Sequence, residues 1–140
     1  MRGNMSDLTI QAERTLGTAT SILIRDHRVA VDRPKDKGGG DVGPMGGELL
    51  LAAVAGCFMS NLIAAASARQ QKLGAVTCTV VGHLDGPPQH FTSIEMTLAS
   101  DTLDAAPFLH LLTVAERGCI VANTLKSMTK LKIGTTPAAQ

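Results

Sequence analysis

One long apolar stretch constrains the fold of this chain more than any other segment. Between Leu49 and Ala66 only Ser60 and Asn61 are polar. A helix of this composition is apolar on nearly every side, so most of its surface is expected to be buried. Cys57 lies near the middle of the stretch, where it is either an inert packing residue or the reactive centre of a sheltered pocket.

The residues that flank the apolar stretch predict where the helix begins and ends. Pro44 follows a glycine-rich segment and lies near the start, and Glu48 falls in the first turn, where an acidic side chain favours the helix dipole. Two basic residues fall in the expected last turn, and Gly74 follows as a stop signal. These signals predict one helix that runs from about Pro44 to about Leu73.

The other segments predict an α+β fold. Alternating and β-branched segments indicate strands, and Pro107 after a capping segment indicates a helix that Gly118 breaks. The predicted strands are residues 8–16, 20–24, 29–31, 75–83, 90–100 and 128–133, with a turn over 25–28, and the predicted shorter helices run from an N-cap within 101–104 to about 117 and from 119 to 126. This order of elements is typical of α+β domains.

Length and composition limit the organisation and the classes of function. With 140 residues the chain fits a single domain, 1–140, with flexible tails at about 1–7 and 135–140. The 13 basic residues are scattered and nearly balance the 12 acidic ones, and Trp and Tyr are absent. Neither a basic patch nor a base-stacking platform for nucleic acid is therefore expected.

The apolar stretch is interrupted by polar residues and lacks an aromatic belt. It therefore predicts a buried core helix rather than a membrane span. The first residues contain no apolar segment of signal-peptide length. These two features predict a cytoplasmic protein without a membrane partner.

The cysteine pattern indicates reduced thiols. Cys57, Cys78 and Cys119 are an odd number at wide spacing with no C-x-x-C pair, so they form no disulfide framework. Cys78 lies in a predicted strand without a motif and is expected to be a packing residue. The four histidines lack ligand spacing, so neither a metal nor a bound cofactor is expected.

The apolar surface of the long helix predicts self-association. Two small sheets from one chain of this length cannot readily cover a helix that is apolar on nearly every side. A second subunit is therefore expected, and a homodimer is the commonest closed assembly.

Two segments of the chain resemble the cysteine motifs of the OsmC/Ohr family, the osmotically inducible and organic hydroperoxide resistance proteins. The first is Pro44 with Glu48–Cys57, and the second is Ala115–Leu125, which contains Cys119. The lead-in segments 31–34 and 39–41 are similar too, so the resemblance spans residues of about 20–133. It implies an OsmC-like fold, in which two small antiparallel sheets surround long central helices in an intertwined homodimer.

The resemblance also implies an activity and a stress-response role. It implies that the chain is a peroxiredoxin-like, antioxidant thiol peroxidase that reduces organic hydroperoxides. Cys57 would be the peroxidatic cysteine and Cys119 the resolving cysteine. No cofactor is implied, because an external dithiol, often a dihydrolipoyl group on a lipoylated protein, serves as the reductant.

The chemistry of such an enzyme requires two neighbouring thiols. A thiolate attacks the peroxide and becomes a sulfenic acid, which a second thiol converts to a disulfide before over-oxidation. An external dithiol then reopens the disulfide by exchange. Apolar walls near Cys57, including Phe58, would favour alkyl peroxides, since each buried CH₂ contributes about 0.8 kcal/mol.

Local sequence context predicts different pKa values for the two thiols. Cys119 would open a short helix beside Arg117, which lowers the pKa of a thiol, whereas the apolar surroundings of Cys57 raise it. Cys57 would therefore need a cation to be a thiolate at neutral pH, and each pKa unit corresponds to about 1.4 kcal/mol.

The resemblance supplies this cation as an arginine from the N-terminal sheet, held by a glutamate near the start of the long helix. Arg25 is the first candidate, followed by Arg28 and Arg33. Glu48 is the candidate glutamate. The family pattern places its glutamate ten residues before the cysteine, at the position of Gly47 here, whereas Glu48 lies nine before Cys57 and on the opposite helix face. This departure points to an OsmC-like branch.

Other interpretations of these residues stay open. The chain could be a non-enzymatic OsmC-like dimer that binds a hydrophobic small molecule, or a structural stress protein with a filled core. Cys57 and Cys119 would then be packing residues, Glu48 a first-turn acid and Arg25 a solvated turn residue. An arginine and a glutamate that reach Cys57 would favour the peroxidase.

Overall fold

The computed structural model describes residues 6–127 of the chain, and the described elements have the predicted α+β composition. The elements are β1 (Gln11–Arg14), β2 (Thr20–Ile24), β3 (His27–Val31), a short 3-10 helix (Lys35–Lys37), α1 (Gly46–Ala68), β4 (Val76–Asp85), β5 (His90–Ser100), α2 (Ala105–Gly118) and α3 (Ile120–Ser127). The last predicted strand, 128–133, the predicted C-terminal tail and most of the N-terminal tail lie outside the described residues. The chain divides into two compact units, residues 1–50 and 51–140.

The first unit contains a three-stranded antiparallel sheet in the order β1-β2-β3. The first strand is shorter than predicted: only residues 11–14 pair with β2. Its predicted flanks do not pair, and Leu8 and Leu16 are almost fully exposed, so the alternation there has no apolar surface to pack on within the unit. The turn between β2 and β3 holds two residues, Arg25 and Asp26, rather than the predicted four, because Ile24 already pairs with His27.

A buried carboxylate organises the loop that leads from β3 to α1. Asp32 accepts hydrogen bonds from the Thr18 hydroxyl (2.6 Å) and from the backbone N–H groups of Arg33 (2.7 Å), Gly40 (3.1 Å) and Val42 (3.3 Å). The hydrogen bond from Thr18 is the main cause that lowers the pKa of Asp32, and burial opposes it. The loop therefore depends on an ionised Asp32, a role that the sequence analysis missed.

Helix α1 ends earlier than predicted, at Ala68 rather than about Leu73. Gln70 adopts a left-handed conformation with φ of 54° and, together with Gln71, closes a Schellman motif. The N–H of Gln71 donates to the Ala66 carbonyl (2.9 Å), and the N–H of Gln70 donates to the Ser67 carbonyl (3.1 Å). Gln70 therefore stops the helix before Gly74, because a side-chain amide residue can occupy the position that glycine usually takes.

Within the single chain, the apolar surface of α1 is buried along one stripe only, so the expectation of burial on most sides stays a prediction that depends on a second subunit. The buried residues are Val54, Phe58, Leu62, Ala65 and Ala66. Leu50, one turn before Val54, and Ile63 stay exposed within the chain. Length and composition alone would let α1 cross a membrane, but a core helix of a soluble protein meets the same criteria, so α1 is not a clear span.

The second unit packs two antiparallel strands and the shorter helices against most of α1. Strands β4 and β5 form a long hairpin with a bulge at His83 and Leu84. Residues from α1 and α2 form one buried cluster, which partly buried side chains of β4 and β5 also contact. The cluster contains Phe58, Leu62, Ala65, Ala66, Phe108, Leu111, Ala115 and Cys119. It brings the cysteine of α1 close to the end of α2.

The junction between α2 and α3 is a sharp bend at Cys119. Gly118 is the last residue of α2 rather than the break, and Cys119 is extended, with φ of −80° and ψ of 107°. Helix α3 begins at Ile120, one residue later than predicted, and the two helices meet at 69°. This bend aims the first turn of α3 away from the axis of α2.

Candidate functional site

The two cysteines of the predicted motifs lie together in the second unit. Cys57 is half-buried on α1, and Cys119 is fully buried at the bend between α2 and α3. Both are free thiols. Hydrogen bonding between their side chains lowers the pKa of Cys57 and raises that of Cys119. The structure therefore brings the two thiols together.

Cys119 caps the N-terminus of α3. Its carbonyl accepts a hydrogen bond from the Asn123 N–H (2.9 Å), and its Sγ accepts one from the Ala122 N–H (3.5 Å). A side chain that accepts from the third residue of a helix is an N-cap interaction, a role that serine or aspartate usually fills. The cap holds the Cys119 sulfur beside the first turn of α3.

The first turn of α3 acts on Cys57 across the interface between helices. Hydrogen bonding from the Val121 N–H is the largest cause that lowers the pKa of the Cys57 thiol. Desolvation opposes this effect, while the Cys119 side chain and the Ile120 N–H add to it. Helix N-terminal N–H groups stabilise a thiolate in this way because they are free donors at the positive end of the helix dipole.

The order of the two thiol pKa values is the reverse of the one that local sequence predicted. Burial is the main cause that raises the pKa of Cys119, and the hydrogen bond and the charge of Cys57 raise it further, although the Ala122 N–H opposes them. The prediction that Cys119 has the lower pKa was wrong, because the N–H groups in the first turn of α3 act on Cys57 as well as on Cys119. Cys57 is thus the more acidic thiol of the pair.

Asn61 is a member of this site that the sequence analysis missed. Its Nδ2 donates to the Cys57 carbonyl (3.0 Å) and lies 3.8 Å from Cys57 Sγ. Its Oδ1 faces Gly118, and a Cβ added to Gly118 would lie 3.1 Å from this oxygen. The one available signal was that Asn61 is a polar residue inside the long apolar run, one helical turn after Cys57.

Cys78 lies apart from the pair, in strand β4. It is half-buried, and burial raises the pKa of its thiol. Its role as a packing residue stays a prediction.

The three candidate arginines lie in the first unit. Arg25 is in the turn between β2 and β3 with φ of 55°, a conformation that costs energy in a residue other than glycine. Arg28 lies 4.0 Å from Glu13 and donates to Ser21 (3.4 Å), so its guanidinium has partners within the sheet. Among the described residues, no hydrogen bond or ion pair engages the side chain of Arg25.

Glu48 is helical and caps its own helix. Its Oε1 accepts a hydrogen bond from the Met45 N–H (2.8 Å), which is one half of a capping box. The helix already includes residues 46 and 47, so the nine steps from Glu48 to Cys57 are all helical. The assignment of Glu48 to the cysteine site stays a prediction.

Two other features of the described residues lie outside the thiol pair. A cleft of about 430 Å³ on the first sheet is lined by Gln11, Ala12, Glu13, Ser21, Leu23 and Arg28. Within residues 6–127, no group of three or more His, Cys, Asp or Glu side chains could hold a metal ion.

Comparison with known sequences identifies one family. The sequence profile of the OsmC-like protein family matches residues 38–134, which include both cysteines of the pair. A search of curated proteins finds no match to the chain.

Comparison with solved structures gives the same fold. A hypothetical protein from Aquifex aeolicus VF5 matches with a TM-score of 0.75 at 16% identity, over 91% of this chain and 93% of that one. An organic hydroperoxide resistance protein OsmC from Legionella pneumophila matches with a TM-score of 0.63 at 19% identity, over 87% and 90%. An organic hydroperoxide resistance protein from Elizabethkingia anophelis matches with a TM-score of 0.68 at 19% identity, over 88% and 90%. The predicted OsmC-like α+β fold of the chain is thereby confirmed, and the homodimer stays a prediction.

Proposed function

Because this chain belongs to the OsmC-like protein family, we propose that it is a cysteine-based peroxidase that reduces organic hydroperoxides. The observation that carries the proposal is the pairing of two free thiols with pKa values shifted in opposite directions. A peroxidatic cysteine must react as a thiolate, whereas a resolving cysteine can stay protonated until the sulfenic acid forms. Solved relatives named as organic hydroperoxide resistance proteins support a role in the stress response.

The first step of the proposed reaction uses Cys57. Its thiolate attacks the terminal oxygen of the hydroperoxide, the O–O bond breaks, and the alkoxide leaves and takes a proton to become an alcohol. The sulfur is oxidised to a sulfenic acid as the peroxide is reduced. The N-terminal donors of α3 favour the thiolate that begins this step.

The second and third steps use Cys119 and an external thiol pair. The Cys119 sulfur attacks the sulfenic sulfur of Cys57, which forms a disulfide and releases water. A dithiol of the dihydrolipoyl type then reduces the disulfide by exchange and is itself oxidised. No bound cofactor takes part in this proposal.

The remaining parts of the proposal concern activation and assembly. From the family resemblance alone, we propose Arg25 as the first candidate for the cation that assists Cys57, with Glu48 as its carboxylate partner. We also propose a homodimer, since α1 leaves Leu50 and Ile63 exposed within the chain. The cytoplasm stays its proposed location.

Intact mass spectrometry of the reduced protein after one equivalent of cumene hydroperoxide tests the proposal. The wild type is expected to lose two hydrogens within minutes, and Cys119→Ser is expected to retain one added oxygen on Cys57. Cys57→Ser should stay unchanged, and Cys78→Ser is the matched control that should behave as the wild type. An unchanged mass in the wild type would reject the peroxidase and favour the non-enzymatic, ligand-binding alternative.

A further inference from the structure

Asn61 contacts the candidate peroxidatic cysteine through one end of its amide. Its Nδ2 donates to the Cys57 carbonyl at 3.0 Å and lies within hydrogen-bond distance of Cys57 Sγ, at 3.8 Å for a sulfur acceptor. The two residues are four apart on α1, so their side chains lie on the same helix face. This half-buried amide is thus directed at the carbonyl and the sulfur of Cys57 rather than at solvent.

The other end of the amide faces the bend between α2 and α3. An added Cβ on Gly118 would lie 3.1 Å from Asn61 Oδ1, closer than ordinary van der Waals contact. Gly118 is a helical residue without a positive φ, so its backbone does not require glycine. What glycine provides here is room for the amide beside Cys119.

We propose that Asn61 is a positioning residue that holds the Cys57 sulfur against the first turn of α3 and beside Cys119, in the space that Gly118 leaves open. The amide N–H donates to the thiolate, and the position of the amide in the space beside Gly118 keeps this donor in place while the sulfur reacts. Asn61 thereby joins the two halves of the site, α1 with Cys57 and the α2–α3 bend with Cys119. The inference rests on the proposed peroxidase, but the property it concerns can be measured without a peroxide.

The amide should make the Cys57 thiolate easier to form. A hydrogen bond to the charged form of a group favours that form, so loss of the Asn61 donor should raise the pKa of Cys57. Asn61→Asp should raise it further, because a carboxylate would then face the thiolate. A merely structural role for Asn61 would change stability without moving this pKa.

The pH dependence of alkylation measures the thiolate directly. Iodoacetamide labelling of Cys57 in the full chain, followed by peptide mass mapping, is expected to be about tenfold slower at neutral pH in Asn61→Ala, since each pKa unit changes the thiolate fraction about tenfold. The whole pH profile should move to higher pH. The exposed neighbour Ser60→Ala is the matched control and should label within about twofold of the wild type. An unmoved profile in Asn61→Ala would overturn the inference.

Gly118→Ala provides a second test that leaves both reactive groups intact. As a single substitution it should slow labelling of Cys57, because the added methyl group displaces the Asn61 amide. It should have no further effect in Asn61→Ala, since the displaced group is already absent. Equal slowing in both backgrounds would overturn the inference, even if Asn61→Ala proved too unstable to interpret by itself.

These measurements separate the inference from the proposed function. A wild type inert to cumene hydroperoxide, with a labelling profile that still depends on Asn61, would overturn the peroxidase and support the positioning role. An active wild type whose Asn61→Ala variant keeps both its labelling profile and its rate of disulfide formation would support the peroxidase and overturn the positioning role.

Discussion

Hydrogen bonding from the Val121 N–H, in the first turn of α3, is the main cause that lowers the pKa of the Cys57 thiol on the facing helix α1. The donor and the acceptor are far apart in the chain, and the bend at Cys119 aims one at the other. The same turn of α3 also donates to Cys119 Sγ through Ala122, but there burial outweighs the donor. One helix terminus therefore supplies donors to both cysteines, but the pKa of Cys57 is lowered while burial raises that of Cys119.

The first prediction concerns the pH dependence of the three thiols. Cys57 should be alkylated at lower pH than Cys78 or Cys119, because its pKa lies below the usual thiol value while theirs lie above it. Near neutral pH this should make Cys57 the fastest of the three sites. Time-resolved labelling with peptide mapping, under native and denaturing conditions, checks it. Equal native rates for the three sites would contradict the prediction.

The second prediction concerns the turn residue Arg25. Arg25→Gly should leave the free energy of unfolding unchanged or raise it by about 1 kcal/mol, since glycine adopts a φ of 55° without strain. The same variant should react with cumene hydroperoxide at least about tenfold more slowly if the guanidinium assists Cys57. Urea unfolding and single-turnover kinetics measure the two effects. Arg33→Gln, at another exposed arginine of the first unit, is the control. A loss of reactivity in Arg33→Gln but not in Arg25→Gly would favour Arg33 as the cation.

The third prediction concerns the buried carboxylate of Asp32. Asp32→Asn should be less stable than the wild type near neutral pH, because the four donors around the carboxylate favour its charged form. A lowered pKa in the folded state means that this stability is present above the unfolded pKa and is lost as pH falls through the folded pKa. The difference between the two proteins should therefore shrink below about pH 4.

Urea unfolding at neutral and acidic pH checks the role of Asp32. Asp36→Asn, an exposed carboxylate in the same loop, is the control and should match the wild type at both pH values. A constant difference between Asp32→Asn and the wild type across the pH range would assign the effect to packing rather than charge.

The fourth prediction compares two neighbouring residues of α1. Leu62 is fully buried in the helix cluster, so Leu62→Ala should lower the free energy of unfolding by about 2 to 5 kcal/mol. Ile63 is 55% exposed within the chain, so Ile63→Glu should instead weaken the proposed homodimer. Light scattering over a range of concentrations, together with urea unfolding, distinguishes the two effects. A wild type that stays monomeric at all concentrations would contradict the dimer.

Local patterns in the sequence were sufficient for most of the fold. Leu49–Ala66 indicated the long helix, and alternation indicated the strands, because helical and strand periodicities depend on residues close in sequence. Element ends were less well predicted. Gln70 ends α1 before Gly74, since the Schellman motif accepts residues other than glycine when its hydrogen bonds are made.

The reactive pair required both kinds of information. The motifs in the sequence singled out Cys57 and Cys119, and their chemistry as thiols follows from residue type alone. Their acidity does not, because a pKa depends on donors and burial supplied by other segments. The packing of α1 against the α2–α3 bend brings Val121 and Ile120 to Cys57 and buries Cys119, and no local pattern encodes that arrangement.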